Sequence, residues 1–134
     1  MSSDNVAAIR AAYEAFARQD IAAVMAAFDE DIEWVSPDIL PFGGTHHGHA
    51  GVGSFFSELP AHWQDLSVEP EEFIDGGDTI VVLIRLRGVG AAGPLETQAV
   101  HLWRLRAGRA VSFHEYSDTA RALQAMGQPL PAMV

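Results

Sequence analysis

Two ionisable residues, His101 and Glu115, stand in the segment "HLWRLRAGRAVSFHEYSD" at positions where its hairpin pattern calls for apolar side chains. The segment reads as two β-strands around a tight turn, with apolar residues alternating along each strand. An imidazole and a carboxylate that face each other can share or transfer a proton. The first question is therefore which elements bring these two side chains together.

The turn sets the register of the predicted hairpin. A three-residue loop centred on Gly108 gives the opposite pairs Arg106–Ala110, Leu105–Val111, Trp103–Phe113 and His101–Glu115. A two-residue loop at Ala107–Gly108 would set Arg106 opposite Arg109, two like charges, and would split the apolar face. Because a one-residue slip moves a whole strand to the other face, the pattern favours the three-residue loop.

In this register His101 and Glu115 are cross-strand neighbours, with Cβ atoms about 5 Å apart, at the end of an apolar row. A buried carboxylate is unfavourable without a partner, and an imidazole supplies one. Two interpretations follow from the residues alone. The pair lines the mouth of a pocket and moves a proton, or it is a structural ion pair that holds the register of the sheet.

The composition predicts one cytoplasmic domain without nucleic-acid or membrane partners. The formal net charge is -10 with only eight Lys and Arg residues, whereas nucleic acids and anionic membranes bind clustered positive charge. No apolar run approaches the roughly 20 residues that span a bilayer, and the start "MSSDNVAAIR" does not resemble a signal peptide. The chain has no cysteine, which excludes disulfides, thiolate metal sites and cysteine nucleophiles.

Helical patterns come first along the chain, and strand patterns follow. Helices are predicted over 6–16, 21–28 and 50–63, and a closing helix over 118–126. Strands are predicted for "DIEWVS" and then for "LSVEPEEFI", "TIVVLIRLRG", "ETQAVHLWRLR" and "AVSFHEYS", while the Pro- and Gly-rich stretch through "THHGH" is predicted as a loop. This order indicates an α+β fold, a single domain over 1–134. We expect a cone-shaped α+β barrel, with the N-terminal helices on a curved, mainly antiparallel sheet and a pocket between the layers.

The hairpin and several other motifs resemble one known family. "AVHLWRLRAGRAVSFHEYSD", the first-helix segment "YEAFARQD", "DEDIEW", "GTHHG" and "LQAMGQP" occur in the order typical of the SnoaL-like polyketide cyclases. These belong to the nuclear-transport-factor-2-like superfamily, which includes ketosteroid isomerase and scytalone dehydratase. The resemblance implies a cofactor-free reaction, in which a carboxylate removes a proton α to a carbonyl and the enolate closes a ring by aldol attack.

The resemblance also implies roles for three residues. Glu115 stands where the family has its acid/base aspartate, His101 stands where the cyclases have a histidine fourteen positions earlier, and Asp118 falls on a second acidic position. The isomerase pattern fits less well, because the place of its aspartate base before a proline is taken by Ser36. We therefore do not predict steroid isomerisation.

Other side chains are candidates for the wall of the pocket. The residues predicted to contact a substrate are Tyr13, Trp34, His46, Phe55, Phe56, Trp63, Trp103 and Phe113. Each aromatic residue alone is more often part of a core than of a pocket wall, and Tyr13 needs a hydrogen-bond partner if it is buried. His46 is placed at the pocket rim.

Two further motifs have a simpler explanation than chemistry. His46, His47 and His49 are close enough to share a metal, with Asp38 as an added oxygen ligand, but their spacing matches no standard ligand motif, and we predict no metal site. Asp118 precedes the closing helix and is a good N-cap, a role compatible with orienting Glu115 or His101.

The strand positions that alternate with the inward ones face outward. They hold leucines together with Arg85, Arg87, Arg104 and Arg106, and this mixed surface predicts a homodimer through the outer face of the sheet. The ligand is expected to be a small apolar or aromatic compound, with no cofactor. The first functional hypothesis is an acid/base enzyme acting on a carbonyl compound. The alternatives are a non-catalytic binding module of the same fold and an accessory domain that docks onto another protein.

Overall fold

The structure, a computed structural model, describes residues 2–37, 40, 42–117 and 127. Its helices are α1 (Ser2–Ala17), α2 (Ile21–Ala26) and α3 (Gly48–His62). Its strands are β1 (Phe28–Ser36), β2 (Gly44–His47), β3 (Gln64–Asp75), β4 (Thr79–Gly90), β5 (Gly93–Arg106) and β6 (Arg109–Ser117). None of the described helices is both long enough and apolar enough to cross a bilayer.

Local signals explain where the helices begin and which side they bury. Asp20 caps α2, its Oδ1 accepting a hydrogen bond from the backbone N–H of Ala23 at 3.1 Å. On α1 the residues of one face are buried, Ile9 completely and Tyr13 to 7% exposure. At the start of α3, Gly48 has φ +69 and a Cβ there would lie 3.0 Å from the carbonyl oxygen of Glu30, so that glycine is required for the close approach to β1.

The six strands form one curved sheet in the order β2-β1-β6-β5-β4-β3. Neighbouring strands are antiparallel except for β1 and β6, which are parallel. The three helices pack on this sheet, so the predicted α+β fold, helices on a mainly antiparallel curved sheet, is confirmed.

Strand β5 shows how the sequence positions the site. Its inward side chains are buried at every second position: Leu95, Thr97, Ala99, His101, Trp103 and Leu105. This period of two matches the alternation of a strand with one face on the core. His101 thus occupies an inward position in the middle of an otherwise largely apolar row.

The predicted turn of the hairpin is wrong, and so are the two pairs next to it, Arg106–Ala110 and Leu105–Val111, whereas the predicted pairs Trp103–Phe113 and His101–Glu115 are right. The loop has two residues, Ala107 and Gly108, both with positive φ (53 and 78), and Arg106 lies opposite Arg109. The register shifts between Arg104 and Leu105 by one residue, leaving Val111 as a bulge. The bulge restores the pairing that the two-residue loop alone would have broken.

The "THHGH" region is also not the loop that the sequence predicted. Residues Gly44–His47 form β2, which pairs with the end of β1, and α3 begins directly after it. The predicted closing helix over 118–126 lies outside the described residues.

Candidate active site

His101 and Glu115 lie side by side on the inner face of the sheet. They are direct cross-strand partners, and His101 Nε2 lies 3.2 Å from Glu115 Oε1. The side chains are 7% and 17% exposed, so the pair is shielded from water on most sides. The pairing predicted from the alternation of the two strands is confirmed.

A residue from α1 extends this pair into a chain of hydrogen bonds. The Tyr13 hydroxyl lies 2.6 Å from His101 Nδ1, and the Trp103 Nε1–H donates to the Tyr13 oxygen at 3.0 Å. The Tyr13 ring also stacks on the His101 ring, with centroids 5.8 Å apart and planes within 10°. The site therefore joins α1 to the β5–β6 hairpin through side chains alone.

Hydrogen-bond counting favours one direction for this chain, because it leaves the buried Tyr13 proton with an acceptor. The indole nitrogen of Trp103 can only donate, so Tyr13 accepts there. The Tyr13 proton then has one acceptor among the described residues, His101 Nδ1. His101 therefore carries its proton on Nε2 and donates it to Oε1 of the Glu115 carboxylate.

The electrostatics of Tyr13 agree with that assignment. Burial raises the pKa of Tyr13 far above its ordinary value of 10.0, the Trp103 hydrogen bond lowers it somewhat, and the nearby Glu115 charge raises it further. Tyr13 is therefore a neutral phenol with a proton to donate, not a phenolate that would accept one from the imidazole.

An apolar cavity of about 100 Å³ adjoins the hydrogen-bonded chain. Most of its wall is aromatic or aliphatic, and Tyr13, His101, Glu115 and Ser117 are its polar members. The predicted wall residues that line it are Tyr13, Trp34, Phe55, Phe56, Trp63, Trp103 and Phe113. An engineered apolar cavity of about 150 Å³ holds benzene, so this volume suits a group of about one ring.

The aromatic wall is a connected cluster rather than a set of separate contacts. Trp34 stacks on Phe113 with centroids 3.8 Å apart, and Phe113 meets the His101 ring edge-on at 4.7 Å. Trp34 is 5% exposed, and its buried Nε1 has no hydrogen-bond partner among the described residues. These contacts leave His101 little freedom to rotate away from Glu115.

The histidines of β2 and of the start of α3 do not line the cavity. His46 Nε2–H donates to the Phe42 carbonyl at 3.2 Å, and its ring packs behind Phe55, so His46 is not part of the cavity lining. His49 Nε2–H donates to the Phe28 carbonyl at 3.0 Å, while exposed His47 lies 3.7 Å from Glu33. Within the described residues no three His, Asp or Glu side chains converge on a common metal position.

The structure adds wall residues that the sequence did not single out and leaves one predicted residue untested. Phe28, Leu66, Val68, Leu86 and Ser117 line the cavity. The alternation of apolar residues along the strands shows which side chains point inward, but the sequence pattern does not distinguish a cavity wall from a filled core. Asp118, predicted to support the pair, lies outside the described residues.

The fold and this arrangement define a class of protein. Its members have helices packed on a curved, cone-shaped sheet, and here a His–carboxylate pair lies on the inner wall of an apolar cavity. The family model for the SnoaL-like domain matches residues 9–113. The chain belongs to the SnoaL-like domain family.

Solved structures agree with this assignment. The chain is similar to a nuclear-transport-factor-2-like protein of unknown function from Burkholderia pseudomallei, with 38% identity and a TM-score of 0.87, over 92% of this chain and 97% of the other. It is also similar to TerC, co-crystallised with polyporic acid, with 30% identity and a TM-score of 0.87, over 93% and 99%. A putative SnoaL-like polyketide cyclase from Jannaschia sp. shares the fold, with 17% identity and a TM-score of 0.81 over 96% and 94%. No protein with a curated description matches the chain.

Proposed function

We propose that this protein is a cofactor-free acid/base enzyme that removes a proton α to the carbonyl group of a small, largely apolar compound. Glu115 is the base, and His101 is the residue that holds it. The observation that carries the proposal is a carboxylate on the wall of a small apolar cavity, held through one oxygen by the His101 imidazole. An apolar cavity with a few convergent polar groups is the usual form of a small-molecule site.

The proposed step uses the second oxygen of Glu115. Oε1 accepts the His101 Nε2–H, while Oε2 receives no hydrogen bond from the described residues. Oε2 takes the α-proton, and the C–H electron pair forms the C=C bond of the enolate. Return of the proton restores the ketone. As the family resemblance implies, an enolate held long enough attacks a second carbonyl of the same molecule and closes a ring. The π bond of that carbonyl breaks, and the resulting alkoxide takes the proton that Glu115 holds. A positioned base of this kind contributes about 10²–10⁴-fold.

Similarity to TerC supports an aromatic carbonyl ligand. That protein was crystallised with polyporic acid, an aryl-substituted quinone, and is 30% identical to this chain over nearly its whole length. The aromatic wall around Trp34 and Phe113 offers flat faces to such a ring. Polyporic acid is larger than the cavity of about 100 Å³, so smaller ketones are the first probes.

Deuterium exchange at the α-carbon tests the proposal. Acetophenone and cyclic aryl ketones are incubated with the protein in heavy water, and exchange is followed by NMR. Glu115→Gln should lower the enzyme-dependent rate by about 10²–10⁴-fold, because the amide cannot accept the proton. Glu58→Gln, the same change on the exposed side of α3, is the matched control and should leave the rate unchanged. Equal rates in wild type and Glu115→Gln would contradict the assignment of the base.

A second candidate function, a binding module without turnover, is favoured by one observation. The Tyr13 hydroxyl and both ring nitrogens of His101 are already satisfied by protein groups. A purely structural network would look the same. Ketone binding measured by thermal shift, without exchange and unaffected by Glu115→Gln, would favour this function over the enzyme.

We further propose that two copies pair through the outer face of the sheet. Leu83, Val100 and exposed Tyr116 are neighbours across β4, β5 and β6, and Leu102 lies beside Val81 on the same face. Leu83→Arg should convert a dimer into a monomer by placing a charge in this apolar patch. Light scattering after size exclusion measures the mass, with Ile21→Arg on α2 as control. A monomeric wild type would contradict the proposal.

A further inference from the structure

A second space of about 580 Å³, a groove that opens to solvent and has several exposed lining residues, lies on the other side of the cavity wall. We call it the outer cavity, and the first one the inner cavity. The residues that line both are Phe16, Phe56, Leu59, Trp63 and Leu66. The two spaces are therefore separated by a wall only one side chain thick.

One part of this wall is an aromatic contact between two helices. Phe16 of α1 and Phe56 of α3 close the gap with ring centroids 5.7 Å apart and planes tilted by 47°. Both side chains are half-buried. A change of side-chain rotamer at Phe16 or Phe56 would open this part of the wall without movement of the backbone.

The lining of the outer cavity indicates what would fill it. Its floor is apolar and includes Ile21, a large hydrophobic side chain that is 36% exposed. Gln19, Ser57 and Asp65 add polar groups. No Lys or Arg side chain is among its lining residues, so nothing there pairs with a phosphate or carboxylate. The occupant that fits is an apolar chain, which gains by leaving water.

We infer that the ligand site has two compartments and that its ligand is an aryl ketone with an extended apolar chain. The ring and carbonyl lie in the inner cavity beside Glu115, and the chain passes between Phe16 and Phe56 into the outer cavity. The ketone part of this inference rests on the proposed function, and the chain part rests on the two adjoining cavities alone. The volumes support the division, because about 100 Å³ is well below the 300–1,000 Å³ of typical ligand pockets and the outer cavity of about 580 Å³ supplies the difference.

A homologous series of ketones tests the inference. Acetophenone and its 4′-ethyl, 4′-butyl and 4′-octyl derivatives keep the same acetyl group and differ only in the chain opposite it. Each methylene that enters an apolar space strengthens binding by up to about fourfold. Calorimetric titration of the wild type should therefore show affinity rising by more than about tenfold from acetophenone to the butyl compound.

Two positions on α1 provide a matched pair of variants. Ala17 is exposed and lines the outer cavity, whereas Ala11 is exposed and lines neither cavity. Ala17→Phe should block part of the outer cavity next to Phe16 and weaken the dependence on chain length, while leaving acetophenone binding within about twofold of wild type. Ala11→Phe should retain the full dependence. Gly53→Leu, which narrows the same cavity from α3, should reproduce Ala17→Phe, since the nearest atom to a Cβ there is 3.8 Å away.

The outcomes separate this inference from the proposed function. Affinity that does not rise with chain length in the wild type, or rises equally in Ala17→Phe and Ala11→Phe, overturns the two-compartment site. Exchange of the acetyl protons is read in the same samples. A chain-length dependence that is weakened in Ala17→Phe, without any exchange, supports the two compartments and overturns the enzyme.

Discussion

Tyr13 shows how one residue decides the roles of its neighbours. Its hydroxyl accepts from Trp103 and donates to His101, which leaves His101 as a donor to Glu115. The carboxylate, and not the imidazole, is then the group with a free lone pair for a substrate proton. A tyrosine that lost its proton would reverse this direction, and its burial prevents that at ordinary pH.

The raised pKa of Tyr13 leads to a prediction at alkaline pH. The unfolded chain releases the phenol proton near pH 10, whereas the folded chain retains it. The free energy of unfolding should therefore fall by about 1.4 kcal/mol per pH unit above about pH 10, and Tyr13 should not change it at lower pH. In Tyr116→Phe, where Tyr13 is the sole tyrosine, phenolate absorbance should appear only together with loss of far-ultraviolet circular dichroism. Phenolate absorbance in the folded state below pH 11 would contradict the burial of Tyr13.

The sequence predicted part of this residue-scale picture. His101 and Glu115 were found because strand periodicity and a short turn fix neighbours across a hairpin. The partner of His101 on α1 was not found, because 88 residues separate Tyr13 from it and the rotation of a helix on a sheet depends on the packing of both. The sequence indicated that a buried tyrosine needs a hydrogen-bond partner, but it did not identify that partner.

At the scale of elements, the β5–β6 turn carries backbone strain. Ala107 has φ 53, a left-handed conformation that costs an L-residue about 1–2 kcal/mol. Two-residue hairpin loops prefer such angles at both positions because their twist matches that of the strands. The tight turn and the bulge at Val111 together fix the register that places Glu115 opposite His101.

Replacing the strained residue should stabilise the hairpin. Ala107→Gly should raise the free energy of unfolding by about 0.5–1 kcal/mol, since glycine adopts positive φ freely but loses more entropy on folding. Urea denaturation measures the change. The same substitution at exposed Ala11, inside α1, should lower the free energy by about 1 kcal/mol. A loss of stability in Ala107→Gly would show that the turn is not strained as described.

The error in predicting this turn has a physical cause. The argument from like charges assumed that Arg106 opposite Arg109 is unfavourable, but both side chains are exposed and water screens the repulsion. The argument from the split apolar face assumed that the two strands pair without interruption. A bulge inserts one extra residue into a strand, and no sequence pattern marks where it occurs. Strand β2 was missed for a similar reason, since four residues are too few to show alternation.

At the scale of the whole molecule, the site and the core are made of the same side chains. Phe28, Trp34, Trp103 and Phe113 belong to the buried cluster and also line the inner cavity. The order of helices before strands predicted the layers, because each amphipathic element must bury its apolar face on another. The size of the space left between the layers was not predictable, since it depends on how large aromatic rings fill a curved surface.

The parallel pairing of β1 with β6 has a consequence for the time course of folding. The edge of the sheet formed by β2 and β1 attaches to the rest through β6, the last of the described strands in the chain. During synthesis β1 leaves the ribosome long before its partner exists, so its apolar inner side has no sheet to join. Contacts between such distant segments slow folding. We therefore expect the β3–β4–β5 meander to gain protection from hydrogen exchange first, and the half of the sheet that carries Trp34 to follow only when the chain is nearly complete.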